Sequence, residues 1–220
     1  MGRRYQLGAS AVHSLIVRIG NRITHSKFIQ WVWSTKYLLI YSFSSNNVAW
    51  DQKDDGLNVN SKEDLDYFVR TERWLSKKQF IEEAERRFCH GLMVYSLVEN
   101  GVLVSYGWLV PSQKRAWFPY VHQPYVFPEK SAVMFNDWTH PNARGRGLHS
   151  RLLRRRLYDA AFCLNAQQVF IAVEYGNRQS QRNIESVGFE CIEILYEKVR
   201  FGRRAAGRME PQEFFRLEGG

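Results

Sequence analysis

Residues 141–150 combine glycines with arginines at the point where a predicted strand gives way to a predicted helix. Gly145 and Gly147 lack a Cβ, so the backbone can turn tightly there and approach a ligand closely. The first turn of the following helix leaves N–H groups without intrahelical partners, and the helix dipole adds positive potential. Arg144 and Arg146 add charge. The segment therefore predicts an anion site, for which a pyrophosphate is a natural occupant.

Two familiar phosphate-binding motifs do not fit this loop. A P-loop needs Gly-Lys followed by Ser or Thr, whereas Gly147 is followed by Leu148 and His149. A Rossmann fingerprint needs a third glycine and an acidic residue about 20 positions further on. By itself, Arg-Gly-Arg-Gly suits a basic RNA-binding turn or an ordinary surface loop equally well.

The elements around the loop form an alternating pattern. Residues 132–138 predict a strand, 148–164 an amphipathic helix, and 169–173 a strand buried on both faces. Residues 177–187 predict a short helix and 191–196 a final strand. The two strands that flank the first helix should be locally parallel, since a crossover helix joins them.

A second polar group follows the buried strand. Residues 177–180 read Asn-Arg-Gln-Ser, which alone indicates no more than a helix cap. Gly188 and Phe189 then stand between the second helix and the last strand.

The order Arg-x-x-Gly, helix, apolar strand, Asn-x-x-Ser and Gly-Phe resembles the GNAT superfamily of acyl-CoA N-acyltransferases, over about residues 92–200. The resemblance implies an α/β (α+β) fold: a mixed, mostly antiparallel sheet flanked by helices, with a central parallel strand pair splayed at the cofactor. It also implies transfer of an acetyl or other acyl group from acetyl-CoA, or another acyl-CoA, to an amine acceptor. The acceptor would attack the thioester directly in a ternary complex.

The resemblance also implies a set of cofactor-binding residues. Backbone N–H groups across 144–150 would hold the pyrophosphate of coenzyme A. Main-chain groups of Asp137 and Thr139 would face the pantetheine arm. Asn177 would lie beside that arm where the strands splay, and Ser180 would face the cofactor. The implied set is Asp137, Thr139, Arg144, Gly145, Arg146, Gly147, Leu148, His149, Ser150, Asn177 and Ser180.

The sequence departs from the family pattern at two positions. His149 replaces the usual Gly or Ala, so its side chain should point away from the phosphates. Ile184 stands where the family often has the Tyr that protonates the leaving thiolate. Because a thiol has a reference pKa of ~8.5, water could protonate the thiolate instead.

A base must take the proton of an acceptor ammonium, and carboxylates are the usual candidates. Asp137 and Glu174 lie at the carboxyl ends of the two strands that should flank the thioester, so both are candidate catalytic residues. Each could equally be a solvated carboxylate at a strand end. Tyr175 and His140 are further candidates. No cysteine has a neighbouring histidine in a nucleophile arrangement, which argues against covalent catalysis.

The first part of the chain predicts further strands and helices. Residues 37–41 predict a strand, and Ser61 looks like the cap of a helical region. Residues 92–98 and 102–110 predict a hairpin, because Asn100-Gly101 between apolar runs is a strong turn signal. Residues 111–131 hold four prolines among aromatics, and predict a loop with at most a short edge strand. The loop aromatics either cap the core or form a lid over the acceptor.

Length and composition limit the classes of protein to which the chain can belong. The chain has 220 residues, a net charge of +9 and 45% hydrophobic residues, as expected for a packed globular protein. We expect a basic N-terminal region at 1–60, either separate or part of the fold, the acyltransferase domain at 61–200 and a tail at 201–220. No run reaches the ~18 apolar residues of a membrane span. Three widely spaced cysteines favour a reducing cytoplasm and predict no structural metal site.

Several alternatives for function remain open at this stage. The amine acceptor could be a small molecule or a glycan, and the positive charge also allows peripheral contact with an anionic membrane. The fold could instead serve as a catalytically inactive CoA-binding or scaffold module. Nucleic acid binding is a third hypothesis, although the arginines are spread along the chain and no RNA-binding aromatic signature is present.

Overall fold

A computed structural model of the protein describes residues 33–45, 56–72 and 75–218. Two strands form a separate hairpin, β5 (Arg115–Phe118) and β6 (Gln123–Val126). The others are β1 (Trp33–Ser44), β2 (Asn58–Val59), β3 (Met93–Glu99), β4 (Val102–Val110), β7 (Ser131–Thr139), β8 (Gln168–Glu174), β9 (Glu190–Arg200) and β10 (Arg203–Met209). These eight form one sheet in the order β10-β9-β1-β8-β7-β4-β3-β2.

Five α-helices accompany the sheet in the described residues: α1 (Lys62–Asp66), α2 (Lys77–Cys89), α3 (Leu148–Tyr158), α4 (Arg178–Glu185) and α5 (Pro211–Glu218). A π-helical segment, Asp159–Cys163, continues α3. Ser61 caps α1 as predicted, accepting a hydrogen bond from the Asp64 N–H at 3.1 Å. The helical region after Ser61 consists of two helices, since Ser76 and Gln79 form a capping box that starts α2.

β7 and β8 are the parallel pair of the sheet, and they separate toward their carboxyl ends. Their ladder joins residues 131–134 to residues 168–171, whereas β7 continues to Thr139 and β8 to Glu174. An irregularity in the β4–β7 ladder between Tyr106 and Trp108 accompanies the separation, and Asn136 adopts a φ of 54° beside it. The predicted fold class, a mostly antiparallel sheet with one splayed parallel pair, is confirmed.

The sheet buries an apolar layer on each face. On one face, which we call the α3 face, the core lies under α3, α4 and α5. On the other, the hairpin face, it lies under α1, α2 and the β5–β6 hairpin. Alternate residues of β8 enter the two layers, with Ile171 and Val173 on the α3 face and Phe170 on the hairpin face. This alternation confirms the prediction of a strand buried on both sides.

Strands from the regions 1–60 and 201–220 are part of this sheet. β1 lies between β8 and β9, pairing antiparallel with each. β10 pairs with β9, and Phe214 of α5 is buried in the α3-face core. The described parts of 1–60 and 201–220 are thus continuous with the sheet of residues 61–200. The basic residues 1–32 lie outside the described residues.

The proline-rich segment 111–131 contains a hairpin of two four-residue strands where the sequence predicted a loop with at most one edge strand. Pro124 lies within β6, opposite Trp117. A proline has no N–H for a ladder, and an edge strand of a two-stranded sheet tolerates this loss. The aromatics Phe118, Tyr125 and Phe127 are buried in the hairpin-face core.

A buried ion pair fixes α3 against the sheet. Arg156 of α3 is fully buried, and its Nη2 donates to Asp137 Oδ1 on β7. Its Nη1 donates to the Trp108 carbonyl of β4 at 3.0 Å. Gly107 lies directly above the pair, because a Cβ there would come within 2.6 Å of Arg156 Cζ and would also collide with Asp137 Oδ1. Only glycine therefore leaves room for the pair.

We predict that Gly107→Ala destabilises the fold by about 1–3 kcal/mol, because the added methyl must displace the buried pair. Gly176→Ala is the matched control, since a Cβ at that position meets no atom within 4 Å. Urea denaturation followed by circular dichroism measures both. Equal stability of the two variants would contradict the close approach at Gly107.

Candidate active site

The predicted anion site, residues 141–150, comprises the connection between β7 and α3 and the first residues of α3, and we call it the anion loop. Its two glycines leave the backbone uncovered by side chains. Gly145 and Gly147 have φ values of 80° and 75°, and a Cβ at either position would meet no atom within 4 Å. Gly147 is the N-cap of α3, and no side chain caps the helix there. The N–H groups of the first turn are therefore available to an anion, reinforced by the dipole of this 11-residue helix.

The two loop arginines are tied to glutamates. Arg146 forms a two-pronged pair with Glu99, with both N–O distances at 2.8 Å. Arg144 Nη2 contacts Glu72 Oε1 at 2.8 Å, and its Nε donates to the Thr139 carbonyl at 3.2 Å. These contacts hold the loop against the end of β7 and neutralise part of the arginine charge. The backbone N–H groups are then the main source of anion affinity.

His149 points away from the loop, between β7 and α4. Its Nε2 lies 3.5 Å from Asp137 Oδ2, and its Nδ1 lies 3.1 Å from Asn183 Nδ2 on α4. Leu148 is buried in the α3-face core. The structure thus brings the predicted residues 144–150 together at one helix end, with Asp137 directly beneath them.

Asn177 and Ser180 lie at the N-terminus of α4. Asn177 Oδ1 accepts a hydrogen bond from the Ser180 N–H at 3.2 Å, so its side chain acts as a helix cap. Asn177 is exposed and comes three residues after the last residue of β8. The contact between Asn183 and His149 joins α4 to the first turn of α3.

Asp137 has both carboxylate oxygens engaged. Oδ1 accepts from Arg156, and Oδ2 faces His149. Burial by itself would raise the pKa of Asp137, but Arg156 and His149 outweigh this effect and lower it. A carboxylate held by a buried guanidinium is a poor proton acceptor, so we assign Asp137 to anchoring α3.

Glu174 is the other predicted base, and it lies half-buried at the end of β8. Burial raises its pKa, while Lys36 and a hydrogen bond from Tyr120 oppose the rise. A carboxyl group with a raised pKa is a stronger base than an exposed glutamate. Glu174 therefore suits proton transfer better than Asp137.

The two further candidate bases, Tyr175 and His140, contact other groups. Tyr175 packs against Phe214, with ring centroids 4.8 Å apart, and Arg178 stacks over its ring at 3.9 Å. His140 Nδ1 accepts from the Asn142 N–H at 3.2 Å. Ile184 is fully buried in the α3-face core.

Sequence reasoning missed the two side chains that oppose the rise in the pKa of Glu174, Lys36 and Tyr120. Lys36 comes from β1, and Tyr120 comes from the turn of the β5–β6 hairpin. In the sequence, Lys36 is recognisable only as a neighbour of the predicted strand 37–41, and Tyr120 only as one aromatic of the segment 111–131. Neither signal indicates which carboxylate they contact.

The described residues hold neither a cluster of metal ligands nor a membrane-spanning helix. None of their His, Cys, Asp and Glu side chains form a group of three or more that could hold a metal ion. Within the same ranges, every helix is too short or too polar to span a bilayer.

Comparisons with known proteins identify the fold. A GNAT-family structure from Novosphingobium aromaticivorans DSM 12444 superposes with a TM-score of 0.50 at 17% identity, covering 74% of this chain and 63% of that one. A GNAT-family acetyltransferase from Colwellia psychrerythraea gives 0.51 at 15% identity, covering 73% and 54%. The chain thus spans less than two thirds of either structure, and at such identity the similarity concerns the fold alone. A comparison with curated proteins found no match.

The family model for the GNAT acetyltransferases matches residues 54–189. This match covers more than half of the chain and includes β7, the anion loop, α3, β8 and α4. The chain therefore belongs to the GNAT family of acetyltransferases.

Proposed function

We propose that the protein is an N-acyltransferase that moves an acetyl or other acyl group from acyl-CoA to an amine acceptor. One observation carries the proposal: β7 and β8 separate at the same end of the sheet where β7 leads into the anion loop. A cofactor with its pyrophosphate at α3 can place its arm in the gap between the two strands.

The residues present fit coenzyme A. N–H groups of 144–150 would bind the pyrophosphate, in a loop where both glycine positions leave open space. Main-chain groups of Asp137 and Thr139 would border the pantetheine on one side, and Asn177 and Ser180 on the other. Only main-chain groups of Asp137 are needed, which agrees with the engagement of its side chain by Arg156.

Acyl-CoA, when bound, supplies a thioester carbonyl open to direct attack by an amine. We assign to Glu174 the removal of the acceptor's proton, either directly or through one water. A backbone N–H near the end of β7 would stabilise the developing negative charge on the carbonyl oxygen. Water would protonate the departing thiolate, because Ile184 has no proton to give.

The acceptor would be a small molecule or a glycan that carries an amine, and the reaction would take place in the cytoplasm. The cysteines Cys89, Cys163 and Cys191 are free, which agrees with a reducing compartment. A second candidate function is a CoA-binding module without turnover. The burial of Ile184 and the pairing of Asp137 with Arg156 favour it. Turnover with a panel of amines distinguishes the two.

We predict that acetyl-CoA raises the melting temperature of the wild type, and that Ser150→Glu abolishes the rise. At about 100 times its Kd, a ligand stabilises the native state by ~2.7 kcal/mol. Ser150 is the third residue of α3. A glutamate there suits the helix dipole but repels a pyrophosphate. Differential scanning fluorimetry measures the shift.

Gln79→Glu is the matched control, since Gln79 is the third residue of α2 and an added carboxylate there can keep the capping box. We expect this variant to respond to acetyl-CoA like the wild type. A shift that persists in Ser150→Glu would refute pyrophosphate binding at α3. Absence of any shift in the wild type with acetyl-CoA, CoA or longer acyl-CoAs would refute the donor.

We predict that Glu174→Gln lowers kcat by about a hundredfold or more, as the loss of a general base does. In the wild type, kcat should fall as the pH drops through the pKa of Glu174. Because burial raises that pKa, the fall should begin at a higher pH than an exposed glutamate would give. The pH–rate profile of Glu174→Gln should lack this fall at low pH, which is the acid limb of the profile.

Glu190→Gln is the control, because Glu190 is an exposed glutamate of β9. Its profile should match that of the wild type. An acid limb that is unchanged in Glu174→Gln would assign the base to another group.

A further inference from the structure

The β5–β6 hairpin packs on the face of β8 that carries Glu174. Tyr125 and Phe127 pack on Phe170 of β8, with ring centroids 6.5 and 5.2 Å apart. Phe170 and Glu174 are four residues apart on one strand, so both side chains lie on the hairpin face. The hairpin therefore packs on the same face of β8 as the proposed base.

Polar contacts fix the hairpin turn to the main sheet. Gln123 Nε2 donates to the Tyr196 carbonyl at 2.8 Å and to the Gly207 carbonyl at 3.1 Å. His122 Nδ1 lies 2.8 Å from Oε1 of Glu197, a carboxylate that is only 1% exposed. A turn anchored to β9 and β10 in this way holds its side chains in fixed positions.

Tyr120, in this turn, lies within interaction range of Glu174, and its hydroxyl opposes the rise in the pKa of that carboxyl group. Burial and the neighbouring Glu174 raise the pKa of Tyr120 to about 12, so its hydroxyl keeps the proton that it donates. Lys36 Nζ lies 5.3 Å from the centre of the Tyr120 ring and 3.6 Å from Glu197 Oε2. The hairpin thus supplies a neutral donor, and β1 a cation, to the surroundings of Glu174.

We propose that the β5–β6 hairpin is part of the active site and that Tyr120 is a positioning residue for Glu174. The inference rests on the proposed function, in which Glu174 takes the proton of the acceptor. In this role, the Tyr120 hydroxyl donates to the carboxylate, orients it and favours its charged form, which is the form that accepts a proton. Without this interaction, burial would raise the pKa of Glu174 further and disfavour the charged form.

The hairpin offers its own matched control. Tyr125 also lies near a strand glutamate, Glu193, and burial together with this neighbour raises the pKa of Tyr125 to about 12. Tyr125→Phe therefore removes an equivalent hydroxyl from the same hairpin without touching Glu174. Both phenylalanine variants keep the ring that packs in the hairpin.

The test compares Tyr120→Phe with Tyr125→Phe by two readouts. The first is the titration of the Glu174 carboxyl carbon by NMR, identified by its absence in Glu174→Gln. The second is the pH dependence of kcat. We expect Tyr120→Phe to raise the pKa of Glu174, to move the acid limb of kcat to higher pH and to lower kcat about tenfold on that limb. Tyr125→Phe should resemble the wild type in both.

Two outcomes would overturn the proposal, and they differ. If Glu174 titrates identically in Tyr120→Phe and Tyr125→Phe while Glu174→Gln is inactive, the positioning role of Tyr120 is wrong and the proposed function stands. If Glu174→Gln keeps full activity, the base assignment fails and the role of Tyr120 fails with it. The NMR titration needs no turnover, so it separates the two cases.

Discussion

The ion pair between Arg156 and Asp137 determines where the anion loop can lie. Arg156 is fully buried and reaches across from α3 to both β4 and β7, while Asp137 also faces His149 of the first helical turn. His149 and Arg156 are two turns apart on one helix face. One carboxylate therefore fixes both the height and the rotation of α3, and hence the direction of its unpartnered N–H groups.

The same region of β7 opens the sheet. The irregular pairing opposite Tyr106 and Trp108, together with the left-handed Asn136, turns the strand away from β8 after four paired positions. Gly107 lies opposite this point and leaves room for the ion pair. The gap for a cofactor and the anchor of the helix that would bind it thus share one short stretch of backbone.

The alternation of strands and helices from 132 to 187 could be predicted, because apolar periodicity and the glycines of the loop are local signals. The pairing of Asp137 with Arg156 could not be predicted, because the sequence around a carboxylate at a strand end does not show whether solvent or an arginine lies beside it. Nor could the contact of Tyr120 with Glu174, which depends on how a hairpin packs across the sheet. The hairpin itself was not predicted either, because prolines lack a backbone N–H and therefore weaken the sequence signal for a strand.

The position of β1 has a consequence for how the molecule assembles. β1 is hydrogen-bonded between β8 and β9, so the earliest described strand cannot complete its pairing until residues near 200 have been synthesised. Contacts of such long sequence separation carry a large loop-closure cost and slow the folding of a domain. During translation, the apolar residues Leu38–Tyr41 of β1, which enter both core layers of the folded sheet, stay unpaired until β8 and β9 have emerged and are exposed to aggregation until then.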